Sequence, residues 1–284
     1  MSHELQNIPF YWTALAHWMI CFVFVVQYPK RLSRWLTGLV SAAFFLLLQG
    51  FMYITAPQNG ALFNLLMICF AVLTLLQFWA LVPLILRQSL YYAARLFIVS
   101  GFMASLSWQL YIFYAQRWVP LNYIGAQIVF MLGFYLLICG ITVLMEYPHR
   151  NVNPELEITW PTCFSTLVLA LIIYILSSLS FTHFDTPFGG STYAEAFNIR
   201  SLAYFGGAAM LYAVHQQLCE TYVKKERDAL ERMLTMQYWS YQLGQESIEM
   251  VNRKYHDLKH QIAVLRSEIG TERKLTCLDQ LERE

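Results

Sequence analysis

Apolar residues fall in long blocks through the first three quarters of the chain and at a 3-4 spacing through the last quarter. A helix that crosses the hydrocarbon core of a membrane needs about 20 mostly apolar residues. Seven blocks meet that length, at roughly 8–28, 35–55, 61–85, 96–116, 121–145, 159–181 and 199–219. The connections between them are short, and Ala56-Pro57-Gln58-Asn59-Gly60 predicts a turn from its Pro, Asn and Gly. From about Gln216 the pattern changes. Positions 223, 227, 230, 234, 237, 241, 244, 248, 251, 255, 258, 262, 265 and 269 form a heptad seam in which eleven of the fourteen residues are apolar. Such a seam predicts a coiled coil or bundle helix. Its weak members, Arg227, Gln237 and Gly244, lie in the first half, nearer the last apolar block. At 1.5 Å per residue this helix is about 75 Å long. Gly270-Thr271-Glu272 then predicts a helix stop and restart, with Gly after the last seam residue and Thr as the next N-cap. Leu275, Leu278 and Leu281 mark one face of a second helix.

The expected fold class is therefore an all-α membrane protein: seven transmembrane helices, a long cytoplasmic coiled-coil or dimerisation helix, and the start of a second hairpin helix. The expected domains are 1–219 for the transmembrane part, 220–248 for a signalling coiled-coil helix and 249–284 for a partial hairpin. No second segment within the chain is long enough to cover the seam, so a parallel homodimer is expected.

Charge refines this picture. Of the 284 residues, 57% are hydrophobic and 13% charged, about half the charged share of a soluble domain. Residues 1–215 hold 14 Asp, Glu, Lys and Arg, whereas residues 216–284 hold 23. That shift places a domain boundary near His215. The net charge of +1 leaves no basic footprint for nucleic acid. With the N-terminus outside, the inner loops carry Lys30, Arg31 and Arg34, then Arg87 and Arg95, then Arg150, then Lys224-Lys225, and the outer loops only Arg117 and Arg200. The positive-inside rule and a count of seven spans thus agree on a multi-pass cell-membrane protein with a cytoplasmic C-terminus. Tyr11-Trp12, Trp35, Trp118 and Trp160 stand near span ends, where aromatic anchors belong. Met1-Ser2-His3-Glu4 lacks the basic start of a cleaved signal peptide, so the first apolar block is expected to stay.

Ionisable residues within the blocks are few. His17 is the main one, a functional candidate by its place in a span or else a hydrogen-bonding helix contact. Gln49, Asn64, Gln77, Gln109 and Gln127 suit hydrogen bonds between helices. No carboxylate stands mid-span in the seven blocks, which counts against an ion carrier or transporter. Six cysteines stand singly, with no zinc-type spacing.

The candidate chemistry lies on the seam helix, in Asn252-Arg253-Lys254-Tyr255-His256-Asp257-Leu258-Lys259-His260-Gln261. Tyr255 and Leu258 are seam residues. His256 is one step of about 100° away, on the flank and open to solvent. An imidazole there can attack a phosphoryl group if one ring nitrogen is free and the other is held as a donor, and an adjacent carboxylate can hold it. An ordinary solvated helix face carries the same residues. His256 and His260 are also at metal-pair spacing, but the Glu of an HExxH site is missing and no metal is expected.

This stretch resembles the phosphoacceptor helix of bacterial sensor histidine kinases, in the subgroup with a sporulation phosphotransferase B-type hairpin and a GHKL-type ATP domain, which includes peptide-pheromone sensors. Glu272-Arg273-Lys274 to Leu278-Asp279-Gln280-Leu281-Glu282 is similar to the start of that hairpin's second helix. The motif likeness covers roughly 250–284, and the multi-span part is similar in layout only. The resemblance implies that His256 is the phosphoacceptor and Asp257 its orienting or proton-accepting partner, in a two-component system with a response regulator downstream. The family continues into an ATP-binding domain, yet no GxGxxG or GxxxxGKS/T occurs here. No cofactor is expected on these residues; ATP and Mg belong to the absent catalytic domain. The expectation is a fragment or shortened form of such a kinase, or a subunit phosphorylated by an intact kinase in trans, with an extracellular or membrane signal as input. Two other readings stay open: a non-enzymatic receptor or scaffold that recruits partners through its coil, and a small transporter.

Overall fold

A computed structural model describes residues 8–28, 30–55, 60–115, 124–149, 156–182 and 193–281. The expected turn at 56–59, the cationic Arg117 and Arg150, Trp118 and the polar connection 183–192 lie outside the described residues. Among the described residues seven α-helices follow one another: α1 (Phe10–Gln27), α2 (Arg34–Thr55), α3 (Gly60–Leu81), α4 (Leu86–Leu110), α5 (Ile124–Glu146), α6 (Trp160–Thr182) and α7 (Tyr193–Leu281). A π-helical turn, Tyr111–Ala115, closes α4, and a 3-10 turn, Tyr147–His149, follows α5.

Six of these helices, α1 to α6, are long and apolar enough to cross a membrane. Their outward faces agree with that: Leu39, Leu46, Val129, Leu136 and Phe164 are each more than three-fifths exposed. Water would penalise such a surface, and acyl chains do not. The chain is thus a multi-pass membrane protein by length and composition. The seventh apolar block, 199–219, is not a separate helix. It is the beginning of α7, where Arg200, His215, Gln216 and Gln217 dilute its hydropathy.

The chain divides into two compact units, Met1–Tyr222 and Val223–Glu284. In the first, α4 is the hub. Of its most apolar stretch 61% is buried, against 22–50% for the other five spans, and it packs on α1, α3, α5 and α6. The start of α7 joins this unit through a stripe at helical spacing, Phe197, Ser201, Tyr204, Leu211, His215 and Cys219, all buried. Glycine permits the closest approaches. A Cβ on Gly101 of α4 would lie 2.6 Å from the Tyr204 ring, and one on Gly207 would overlap Ile173 of α6. Small residues at such crossings let backbones pack closely where the hydrophobic effect gives no drive.

Several expectations change here. The third span ends at Leu81 rather than 85, and α4 begins at Leu86 rather than 96. Pro83 lies in the short extended link between them, and a proline restricts the residue before it to extended backbone. Arg95, expected in a loop, is therefore a buried helical residue. Trp12 is not an interfacial anchor: it is buried against Tyr135, whose hydroxyl donates to the Trp12 carbonyl at 3.1 Å. Trp35 and Trp160 are exposed, as anchors are.

In the second unit, α7 continues as one helix to Leu281. The stop at Gly270 and the second hairpin helix do not form. Gly270 has open space around it and no left-handed φ, so nothing in its backbone ends the helix. A glycine inside a helix costs about 1 kcal/mol, too little to break a long one by itself.

Candidate functional site

The structure places His256 and Asp257 on the exposed surface of α7. Around them the seam residues Ile248, Val251, Tyr255, Leu258 and Ile262 are all more than half exposed among the described residues. The side chains of Leu265 and Ile269 lie outside the described residues. The apolar surface is also wider than a strict seam. Met233, Met236, Leu243 and Met250 each precede a seam position by one residue and are exposed as well. Among the described residues neither His256 nor Asp257 makes a hydrogen bond or ion pair, and successive side chains on a helix do not face each other. His256 is thus exposed, and no hydrogen bond joins it to Asp257.

A second polar constellation, which the sequence reading did not assemble, lies inside the first unit. Arg95 on α4 and Glu146 at the end of α5 form a buried ion pair, each side chain under 5% exposed. Glu146 also faces His215 of α7, with Nε2 to Oε2 at 3.6 Å. The Tyr91 hydroxyl meets His215 Nδ1 at 3.2 Å, and Cys219 Sγ lies 3.6 Å from Nε2. The His149 ring is 5.8 Å from the His215 ring, and Arg95 lies over the rings of Phe24, Tyr91 and Tyr92 at 5.7–5.9 Å. Beside it, Gln88 donates to the Leu156 carbonyl at 2.9 Å. The knot ties α4, α5 and α7 together. An ion pair removed from water holds its charges only when each compensates the other, and the aromatic faces add cation–π attraction.

Two sequence signals pointed to this knot. Pro83 as a boundary puts the start of α4 early and Arg95 two to three turns inside it. Glu146 stands in the last turn of α5, where the helix dipole disfavours a carboxylate, so it calls for a cation.

The other polar positions act mostly between helices. His17 is buried, with Nδ1 2.9 Å from the Thr13 carbonyl of its own helix, its ring against Phe70 and Phe97, and its Nε2 without a hydrogen-bond partner among the described residues. Gln49 donates to the Tyr11 carbonyl at 3.1 Å, Asn64 accepts from Tyr174 and Ser178, and Gln109 of α4 pairs with Asn198 of α7. Ser105 and Ser201 join the same two helices at 2.9 Å. Gln77 differs: it is fully buried and neither of its amide atoms has a partner among the described residues. No disulfide joins the described cysteines. Comparison with known proteins found no family model, no curated protein and no solved structure that matches the chain.

Proposed function

We propose that the chain is the membrane and phosphoacceptor part of a sensor histidine kinase of a two-component system. In this reading the start of α7 is the seventh span, the N-terminus is outside and the remainder of α7 is cytoplasmic. Two copies bury the seam against each other, and a signal from outside or from the membrane alters helix packing and so the presentation of His256. One imidazole nitrogen attacks the γ-phosphorus of ATP, the bond to the β-bridging oxygen breaks, and ADP leaves. Asp257 takes or orients the proton on the ring. A response-regulator aspartate then accepts the phosphoryl group. ATP and Mg are bound by a kinase domain outside these 284 residues.

The observation that carries this reading is an exposed His-Asp pair flanking an uncovered apolar seam. The test is to supply an intact kinase domain of this class, ATP and Mg to the full chain in lipid nanodiscs. Acid-labile phosphate is expected on His256 and absent in His256→Gln. Asp257→Asn is expected to slow labelling by about 10²-fold, the lower end for a positioned acid–base group. No label on the wild-type chain overturns the reading. The breadth of the apolar face and its methionines favour a second reading, a scaffold that recruits partners through α7; its partner binding would survive His256→Gln.

A further inference from the structure

A cavity of about 480 Å³ lies between α4, α5 and the start of α7. That is within the roughly 300–1,000 Å³ of small-molecule sites. Its body is apolar, with Phe24, Val99, Phe102 and Phe134 on the inner side. Its rim includes Leu137, Ile141, Met145 and Phe205, each more than two-fifths exposed, so it opens sideways into the lipid phase. Arg95 and Glu146 belong to the same wall. Arg95 gives one nitrogen to Glu146, while its Nη1 is buried with no hydrogen-bond partner among the described residues. A buried donor left without an acceptor is costly, most of all on a charged group.

We propose that this cavity binds an amphipathic molecule from the lipid phase, with one apolar chain and one neutral acceptor group, an ester or carbonyl, that takes the hydrogen bond from Arg95 Nη1. The neutrality follows from Glu146, which already balances the Arg95 charge. An anion would leave the buried site with a net negative charge, and an alkane would leave Nη1 unpaired. The occupant touches Phe205, Ala208, Ala209 and Tyr212 of α7, and the Tyr212 hydroxyl donates to the Met145 carbonyl of α5 at 3.4 Å across the wall. Filling the cavity therefore acts on the contact between α5 and α7. The site does not rest on the kinase reading, because its occupancy is measured without phosphoryl transfer.

The test uses the full chain in nanodiscs and a monoacylglycerol ester with a diazirine in its acyl chain, beside a diazirine alkane of equal length. Saturable labelling of α4, α5 and the start of α7 is expected, and unlabelled monoacylglycerol competes for it better than the alkane. Ala209→Phe, which fills the cavity, is expected to lower labelling about tenfold, while Leu39→Phe, outside the wall, leaves it unchanged. The neutral pair Arg95→Gln with Glu146→Gln is expected to reduce the preference for ester over alkane by about tenfold, the scale of one hydrogen bond to a charged group. Native mass spectrometry separates the sources: a lipid retained through purification identifies a bilayer component, and an empty chain with saturable labelling identifies a freely diffusing lipophile. Labelling that does not saturate, shows no ester preference, or is equal in wild type and Ala209→Phe overturns the proposal.

Discussion

At the scale of single residues, the most consequential pair is Arg95 and Glu146. Each is a charge that the interior tolerates only because of the other. Glu146→Ala leaves the guanidinium buried and uncompensated, and such losses cost about 3–5 kcal/mol. The expected outcome is a large fall in thermal unfolding temperature in nanodiscs. Arg95→Met with Glu146→Leu, apolar and of similar size, should recover most of it. If the single variant melts like wild type, the ion pair is not holding α4 to α5. His256 stands at the opposite extreme. Its exposure predicts that His256→Gln, the variant that tests the proposed phosphoacceptor, leaves stability within the scatter typical of surface substitutions, about ±0.5 kcal/mol, as thermal unfolding in nanodiscs would check.

At the scale of elements, the question is what covers α7 beyond Tyr222. Cysteines placed singly at 251, 255 and 258 should form disulfide-linked dimers under mild oxidation much faster than cysteines at 253, 256 and 260, in a background without the native cysteines. Equal rates at all six positions would remove the seam as a dimer interface. Gly270→Ala distinguishes a continuous helix from a hairpin. In a continuous helix it stabilises by about 1 kcal/mol, and at a left-handed turn it destabilises. Circular dichroism melts of the full chain decide the sign. Much of this level was legible in the residues. Block length alone located α1, α2, α5 and α6, and the 3-4 spacing located α7. What period and length do not encode is where an apolar block stops. The third and fourth spans share a continuous apolar run through 81–86 in which only Pro83 interrupts, and reading past it moved Arg95 from core to loop. Gly270 was misread for the converse reason: a glycine terminates a helix only where the backbone turns left-handed, and that depends on packing that a sequence window does not contain. Pro83 and the position of Glu146 hint at buried charges, but which residues pair was not legible, because the members of the knot lie 51 and 124 residues apart.

At the scale of the whole molecule, orientation is the property to measure. With Arg95 inside the bundle, the inner connections and span ends of the proposed topology still hold Lys30, Arg31, Arg34, Arg87 and Arg150, against Arg117 and Arg200 on the outer side. Membrane-impermeant thiol labelling of single cysteines should therefore modify position 58 in intact cells, and position 31 only after lysis. The reverse pattern would place α7 beyond Tyr222 outside the cell and end the kinase reading, while leaving the bundle and its cavity as described.

The same ion pair is also completed in a fixed order during synthesis. Arg95 leaves the ribosome 51 residues ahead of Glu146. A lone arginine at the centre of an inserting helix costs roughly 2.5–3.5 kcal/mol on translocon scales. Until α5 supplies the carboxylate, that cost falls on α4 alone and is offset only by its apolar residues. His215 then arrives 124 residues after Tyr91, as the last member to join. The polar knot on α4 and α5 is therefore complete only once the start of α7, the helix that bears His256, has been made.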